Sequence, residues 1–350
     1  MKILHLLSSS RFSGAENVAC QIIAMLPELE MVYCSPDGPI REALAERGVV
    51  FAPLKTMSVG EVLRVIREEK PELIHAHDMR ATFLAALCCG NIPMISHIHN
   101  NHFDAQTLTV KAVLYRLAAI RAKHIFWVSQ AAQEGYLFHK ALARKSSLLR
   151  NVIDGEQLRH KAARAENRRA YDIVYLGRLT HQKNPQRLLR VLEQVVRRCP
   201  QTQAAIIGTG ELEEDVKQLV EEKNLQDNVH CLGFLDNPHG ILQNAKAMVL
   251  TSRWEGLPIC VLEAMALGVP IVSTPTDGVR EVIIQGENGF LSDDDGCLTD
   301  SLVSLISDGE VRRKMGEAAL ASASVVLNLE AYKNTVLAVY SKWAKKERQA

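Results

Sequence analysis

The sequence predicts an α/β protein built from two doubly wound domains, each with a parallel sheet covered by helices. Short apolar runs alternate with amphipathic helical segments in both halves of the chain, the pattern that parallel sheets require. The 350 residues are too many for one ordinary domain and suit two. A polar stretch at 160–170 predicts a boundary between a domain at 1–165 and a domain at 166–330.

The elements of the first half follow one another as strand, loop and helix. An apolar run ends in serines at 8–10, and apolar residues then recur at helical spacing from Val18 to Leu26. Gly48 and Pro71 each end a further helical segment. The predicted strands are 2–7, 31–35, 49–54, 73–76, 94–98 and 124–128, and the predicted helices are 15–26, 40–47, 60–69, 81–89 and 108–121.

The second half repeats this alternation without any short-period repeat. Predicted strands are 172–177, 204–208, 229–234, 247–251 and 269–274, and the first predicted helices are 185–198 and 211–223. The carboxyl ends of such parallel strands form a crevice where the strand order reverses. A ligand between the two domains is therefore the expected arrangement.

Composition excludes several classes of protein. The 41 basic and 40 acidic residues leave a net charge of +1, so the chain as a whole does not attract nucleic acid. Eight cysteines without a C-x-x-C spacing predict reduced thiols in a cytoplasmic protein. The apolar start is too short for a secretory signal, and residues 81–96 contain glycine, asparagine and proline that argue against a membrane span.

The strongest motif has two acids, Glu255 and Glu263, separated by seven residues at a predicted helix start. The main-chain N–H groups of Gly256, Leu257 and Ile259 lie there, and such groups bind anions and hydroxyls. Glu263, two turns along, is placed to accept hydrogen bonds from a ribose diol. A capped helix with two surface acids is the alternative.

Two cations, Arg178 and Lys183, precede the helix that begins at Pro185. Together with the helix dipole they suit a diphosphate, although a surface pair explains the spacing equally well. Gly210 belongs to a Gly-Thr-Gly turn that fails the dinucleotide fingerprint at Glu213, so it predicts a tight turn near a ligand or an ordinary one. Gly14 opens the first helix and lets a ligand approach the main chain.

Two histidine pairs, His75/His77 and His97/His99, lie near the ends of predicted strands. Residues two apart share one face of a strand, so a four-histidine metal site is conceivable. The sequence around the pairs lacks the carboxylate pattern that flanks metal-binding histidines, and the prediction is that the protein holds no metal. His99 is best placed to point into the crevice, with a structural role as the alternative.

Taken together and in this order, these motifs resemble the family 4 retaining glycosyltransferases of GT-B fold. The resemblance spans nearly the whole chain and is most specific at 251–274. It implies two Rossmann-like domains whose sheets face an inter-domain cleft, with a nucleotide-diphosphate sugar bound by the second domain. It also implies that a C-terminal helix at about 331–350 packs back on the first domain. One departure is Ser13, where many members have a glycine.

The resemblance also assigns roles to the motif residues. Arg178 and Lys183 match the diphosphate-binding pair, and Glu263 matches the acid that holds the ribose. Glu255 and the amides after it match the group that meets the donor sugar, which His99 reaches from the acceptor side. A segment beside the nucleobase is matched by Leu232 and Phe234. No cofactor and no catalytic metal are implied, since the nucleotide sugar is a co-substrate.

The expected reaction is transfer of a hexosyl or N-acetylhexosaminyl group to an acceptor hydroxyl, with retained configuration, in cell-surface polysaccharide or glycolipid assembly. A UDP-sugar is favoured as donor and GDP-mannose comes second. The alternatives are an epimerase of the same fold, a transferase with a small soluble acceptor, and a nucleotide-binding protein without chemistry.

The acceptor side is expected near 100–123, including Phe103, Tyr115 and Arg116. Residues 105–165 contain eleven basic and three acidic side chains, from Lys111 to Arg164. This bias favours peripheral contact with the inner face of the plasma membrane, and a solvated basic surface is the alternative.

Overall fold

The computed structural model describes residues 1–100 and 105–344 and divides the chain into two units. The first unit comprises Met1–Asn151 and the described residues from Glu330 on, and the second comprises Val152–Leu329. Each unit contains one parallel sheet with helices between its strands. The predicted pair of doubly wound α/β domains is therefore confirmed.

The sheet of the first unit has seven parallel strands. They are β1 (Lys2–Leu6), β2 (Glu30–Pro36), β3 (Phe51–Leu54), β4 (Leu73–His77), β5 (Met94–Ile98), β6 (Ala122–Trp127) and β7 (Ser146–Leu148), in the order β3-β2-β1-β4-β5-β6-β7. Both β4 and β5 are buried along their whole length. The strand order reverses between β1 and β4, which opens a crevice at their carboxyl ends.

The helices of the first unit follow its strands. They are α1 (Gly14–Met25), α2 (Ile40–Glu46), α3 (Val59–Glu69), α4 (Met79–Cys88), α5 (Val110–Arg121), α6 (Gln130–Glu134) and α7 (His139–Leu142). Capping side chains fix three of the described helix starts, because Asp78 accepts from the amide at 81, Thr109 from the amide at 112 and Ser129 from the amide at 132.

The second unit has six parallel strands. They are β8 (Ile173–Leu176), β9 (Ala204–Ile207), β10 (Val229–Gly233), β11 (Ala247–Leu250), β12 (Ile271–Ser273) and β13 (Gly289–Leu291), in the order β10-β9-β8-β11-β12-β13. The helices are α8 (Gly155–Ala163), α9 (Pro185–Arg198), α10 (Glu213–Glu222), α11 (His239–Gln243), α12 (Ile259–Ala266), α13 (Asp277–Arg280), α14 (Asp295–Ser307) and α15 (Gly309–Val326). Here the order reverses between β8 and β11.

The chain passes into the second unit at residue 152, earlier than the expected boundary at 166. Residues 155–163 form α8, which buries Leu158 and Ala162 and packs against α11 and α12. The predicted linker at 160–170 therefore includes the polar end of this helix, from 160 to 163. The last helix, α16 (Leu329–Ala344), belongs to the first unit from Glu330 on, and the remainder of the expected C-terminal helix lies outside the described residues.

Candidate functional site

The charged centre of the second unit is a buried ion pair between Lys183 and Glu255. The two residues follow β8 and β11, the strands between which the sheet order reverses. Nζ of Lys183 lies 2.6 Å from Oε1 of Glu255, and the residues are 9% and 4% exposed. Burial alone would lower the pKa of Lys183, but the adjacent carboxylate outweighs it and holds that pKa above its ordinary value. Lys183 therefore stays protonated beside the carboxylate.

The loops that carry this pair are joined by hydrogen bonds. The main-chain N–H of Arg253 donates to the Gln182 carbonyl at 2.8 Å, and the Thr251 hydroxyl donates to the Asn184 carbonyl at 3.1 Å. The Arg253 guanidinium donates to Oδ1 of Asn184 at 3.2 Å, and Asn184 itself adopts the left-handed conformation with φ of 54°. The two loops consequently form one wall at the switch point of the sheet.

The glycines of the Gly-Thr-Gly turn let this turn pack against the loop after β8. A Cβ on Gly208, which has φ of 130°, would lie 2.1 Å from the Gly177 carbonyl oxygen. A Cβ on Gly210 would lie 2.3 Å from the Leu179 carbonyl oxygen. Packing therefore explains both glycines, and a donor contact of Gly210 stays a prediction.

The loop after Glu255 leads directly into α12. Pro258 is the residue immediately before this helix, and among the described residues the main-chain N–H groups of Ile259 and Cys260 have no hydrogen-bond acceptor. A Cβ on Gly278 would lie 1.0 Å from the Gly256 carbonyl oxygen, so the loop rests on bare main chain at the start of α13. Sequence analysis missed Gly278, whose only signal was its place just after a buried strand.

Arg178 is exposed at the edge of the same site. Its carbonyl accepts from the Tyr175 hydroxyl at 2.8 Å, which holds the main chain, while its guanidinium has no carboxylate partner among the described residues. It lies near enough to Lys183 for its charge to act on that group. The site thus combines the buried Lys183–Glu255 ion pair, whose charges neutralise each other, with the exposed guanidinium of Arg178.

Glu263, on α12, has a partner that sequence analysis did not identify. Its Oε1 lies 3.2 Å from Nε2 of His239, whose Nδ1 lies 2.9 Å from Oδ1 of Asn237. The amide of Asn237 donates in turn to the Lys161 carbonyl at 2.9 Å. This chain of contacts fixes the direction of the Glu263 carboxylate, which remains partly exposed.

The end of β10 presents an exposed aromatic ring. Leu232 is half-buried in the strand, Gly233 has φ of 68° where the register shifts, and Phe234 is 64% exposed. An exposed ring beside a strand end is suited to stacking on a planar ligand.

Two of the predicted site residues, Gly14 and His99, lie in the first unit. A Cβ on Gly14 would meet no described atom within 4 Å, so packing does not require this glycine. Ser13 at the preceding position donates its hydroxyl to the Glu16 carboxylate.

His99 follows β5 and is part of a buried histidine cluster. Its Nε2 lies 2.8 Å from Nδ1 of His77, whose Nε2 lies 3.0 Å from Nδ1 of His5. Burial lowers the pKa of His99 and of His5 to about 3 and favours neutral rings throughout. The cluster consists of His5, His75, His77, His97 and His99.

Two trios within this cluster bring their ring nitrogens within 4.8 Å of one another. Such an all-imidazole set has the chemistry that zinc or copper takes. Both nitrogens of His77, the residue common to the trios, are however engaged with other rings. That the protein holds no metal stays a prediction.

The surface at α5 is apolar where helices usually present polar residues. We call the exposed set the α5 face; its side chains are 37–77% exposed and are Leu108, Val110, Val113, Leu114, Leu117 and Ile120.

Tyr115, expected on the acceptor side, is instead buried and lies 3.0 Å from the Ser96 hydroxyl. Lys145 donates to carbonyls at the end of α5, so it is part of the fold. Residues 101–104, including Phe103, lie outside the described residues. No described helix is long and apolar enough to cross a membrane.

Two family models match consecutive parts of the chain. The model described as Glycosyltransferase Family 4 matches residues 12–157, and the model described as Glycosyl transferases group 1 matches residues 156–321. An uncharacterized glycosyltransferase of Methanocaldococcus jannaschii is 29% identical over 249 residues, which cover 64% of this chain and 60% of that protein. The UDP-Gal:alpha-D-GlcNAc-diphosphoundecaprenol alpha-1,3-galactosyltransferase of Escherichia coli is 24% identical over 323 residues, 83% of this chain and 84% of the relative.

Solved structures agree in fold. HepE of Anabaena, in complex with UDP-glucose, superposes with a TM-score of 0.84 at 22% identity and covers 98% of this chain and 100% of its own. The lipopolysaccharide outer core galactosyltransferase WaaB superposes with a TM-score of 0.70 at 21% identity over the same shares. Two family models match consecutive parts of the chain, and each of its units is doubly wound. The chain therefore belongs to glycosyltransferase family 4 and has the GT-B fold.

Proposed function

We propose that this protein is a retaining, metal-independent glycosyltransferase that moves a hexosyl or N-acetylhexosaminyl group from a UDP-sugar to an acceptor hydroxyl. The observation that carries the proposal is the exposed Arg178 beside the Lys183–Glu255 pair and the open amides of α12. A departing diphosphate needs fixed positive charge and N–H donors, and this site supplies both from rigid loops. The cations take the part that a metal ion plays elsewhere.

In this proposal each predicted side chain of the second-unit site contacts one part of the donor. Arg178 binds the diphosphate with its planar fork, and Lys183 keeps two N–H bonds beyond the one directed at Glu255. Glu255 accepts from a donor-sugar hydroxyl. Glu263, oriented by its histidine partner, accepts from the ribose, and the exposed ring of Phe234 stacks on the base.

Two groups of the first unit complete the proposed roles. Gly14 leaves its main chain open to the diphosphate, because no described atom lies within 4 Å of the place that a Cβ would take. His99 recognises the donor sugar through Nδ1, since its Nε2 is engaged by His77.

The Lys183–Glu255 pair also favours front-face departure over a covalent intermediate. A carboxylate bound to a lysine at 2.6 Å is a poor nucleophile, and it is better suited to orienting the sugar. In the proposed step the bond from the anomeric carbon to the diphosphate breaks, and the acceptor oxygen bonds to the same face. A diphosphate oxygen takes the acceptor's proton. Configuration is retained because the acceptor bonds to the face from which the diphosphate departs.

Uridine is the preferred base in this proposal, and GDP-mannose is the second choice of donor. Support comes from relatives: HepE crystallises with UDP-glucose and with UDP, and the Escherichia coli relative is named for UDP-galactose. The donor test is a thermal-shift panel of UDP, UDP-glucose, UDP-galactose, UDP-N-acetylglucosamine, GDP, GDP-mannose and NAD. A ligand at 100 times its Kd adds about 2.7 kcal/mol to stability. Stabilisation by UDP species supports the proposal, and stabilisation by NAD alone contradicts it.

The acceptor is proposed to be a lipid-linked glycan at an anionic membrane. Six apolar side chains of the α5 face are exposed, and exposed cations follow it in the chain at Lys140 and Arg144. An apolar face with cations nearby binds an anionic bilayer interface, where each cation contributes about 1 kcal/mol. Peripheral contact with the inner face of the plasma membrane follows from this assignment.

Vesicle sedimentation tests the α5 face. The wild type and a Leu117→Glu/Ile120→Glu variant are compared on vesicles with roughly one third phosphatidylglycerol at low salt. Leu320→Glu/Val325→Glu is the matched control, because these residues of α15 are exposed to a similar degree in the other unit. Loss of sedimentation in the α5 variant alone supports the membrane assignment. No binding by the wild type would contradict it and favour a soluble acceptor.

A further inference from the structure

Three buried histidines form a continuous chain of ring-to-ring hydrogen bonds across three strands of the first sheet. His5, His77 and His99 come from three adjacent strands or their ends, β1, β4 and β5. The nitrogens lie 3.0 Å apart between His5 and His77, and 2.8 Å apart between His77 and His99. Two ring nitrogens remain at the ends, Nε2 of His5 and Nδ1 of His99, and neither has a partner among the described residues.

The tautomers of the three rings depend on one another, because each neutral ring has a single N–H to donate. A neutral imidazole has one N–H and one bare nitrogen. If Nδ1–H of His5 donates to Nε2 of His77, the proton of His77 lies on its Nδ1 and is donated to Nε2 of His99. The proton of His99 then lies on its own Nδ1. If His99 donates from Nε2 instead, every ring carries its proton on Nε2. The geometry therefore admits two states, in which all three rings are δ tautomers or all three are ε tautomers.

We infer that His77 is a positioning residue which, together with His5, sets whether His99 offers an N–H or a bare nitrogen to its ligand. The first unit buries His77 completely, and both of its ring nitrogens face other rings, so its side chain has no direct route to a ligand. It acts by setting which nitrogen of His99, at one end of the chain, carries the proton. Only the identity of the ligand at His99 rests on the proposed function.

The first test is the tautomer of each ring in the unliganded wild-type protein. The protein is labelled with ¹⁵N-histidine, the long-range ¹H–¹⁵N correlations are recorded, and single substitutions assign the rings. Three matching tautomers are the expected result. A mixed set, or stoichiometric zinc bound to these nitrogens, would overturn the inference, since a coordinated nitrogen carries no proton. This test needs neither a donor nor an altered protein beyond the assignment variants.

The second test separates the chain of hydrogen bonds from packing. His77→Asn keeps an amide near the position of Nδ1 and so keeps a partner for His99, whereas His77→Leu keeps only bulk. His97→Leu is the matched control, because this ring packs against His99 with 4.0 Å between centroids but makes no hydrogen bond among the described residues. His5→Leu is the remote variant, since His5 shares no hydrogen bond with His99.

The expected pattern is specific to coupling. His5→Leu and His77→Leu change the tautomer population of His99, and His97→Leu leaves it unchanged. In turnover with a UDP-sugar, His77→Leu loses about tenfold in kcat, the equivalent of one hydrogen bond, and His77→Asn recovers most of it. An unchanged His99 tautomer in both leucine variants would refute the relay. Absence of any UDP-sugar turnover in the wild type would refute the proposed function and leave the tautomer result standing.

Discussion

Removing one partner of the Lys183–Glu255 pair is the sharpest test of how the second unit is built. In Lys183→Met the Glu255 carboxylate, which is 4% exposed, loses the cation at 2.6 Å. Its remaining side-chain partner among the described residues is Gln182, at a weak 3.4 Å. Breaking a buried pair from one side costs about 3–5 kcal/mol, because the remaining charge is left in a poorly solvated site. Glu255→Gln strands the lysine in the same way.

The double variant supplies the control for this prediction. Lys183→Met/Glu255→Gln removes both charges, so its loss of stability is expected to be smaller than the sum of the single losses by about 1–3 kcal/mol. The assay is urea unfolding of all four proteins, followed by circular dichroism. Single variants within about 1 kcal/mol of the wild type, or strictly additive losses, would show that the pair is solvated and would refute the reasoning.

The stability that protonated Lys183 contributes depends on pH in a predictable direction. The pKa of Lys183 is raised above its ordinary value of 10.5 in the folded protein. The stability that its protonation provides is therefore fully present below pH 10.5 and is lost as the pH rises through the folded pKa. Between pH 6 and 9 the deprotonation of Lys183 is expected to contribute nothing to any change in stability, which urea titrations across about three pH units check.

Five further variants separate chemistry from packing. Arg178→Ala is expected to lower kcat about 10²–10³-fold with little loss of stability, because the side chain is exposed and has no carboxylate partner among the described residues; steady-state kinetics and a melting curve check both. Glu263→Ala is expected to raise the KM of the donor about tenfold with a smaller effect on kcat. Gly278→Ala is expected to unfold or strongly destabilise the second unit, since its Cβ would lie 1.0 Å from a carbonyl oxygen, whereas Gly14→Ala, with open space around its Cβ, is expected to leave Tm unchanged. Tyr340→Phe removes the hydroxyl that lies 2.6 Å from Nδ1 of the buried His75. The free energy of unfolding is expected to fall by about 1–3 kcal/mol, measured by urea unfolding.

The alternation of apolar runs and helical segments predicted the architecture, because parallel sheets buried on both faces need nearly continuous apolar strands. The short strands β7 and β13 were missed, since three residues carry too little pattern to be distinguished from loop. The end of helix α8, from 160 to 163, was included in the predicted linker at 160–170 because only Ala162 is buried in that part of the helix. Local composition does not encode which unit such a helix packs on.

The candidate site was predictable where residue chemistry points to one role and obscure where packing decides. Arg178 and Glu263 could be named from charge and spacing. The sequence could not reveal that Lys183 is bound to Glu255, because that contact joins loops 72 residues apart. His239 and Gly278 were missed for the same reason: their importance comes from what lies opposite them in the fold.

The central claim is that the second unit binds the diphosphate of a nucleotide sugar through Arg178 and its ribose through Glu263. Calorimetric titration of UDP into the wild type, Arg178→Ala and Glu263→Ala tests this most directly. We expect binding by the wild type and a Kd raised about tenfold or more in each variant, the loss expected for one charged hydrogen bond. Equal affinity of all three proteins for UDP, or no binding by the wild type, would contradict it.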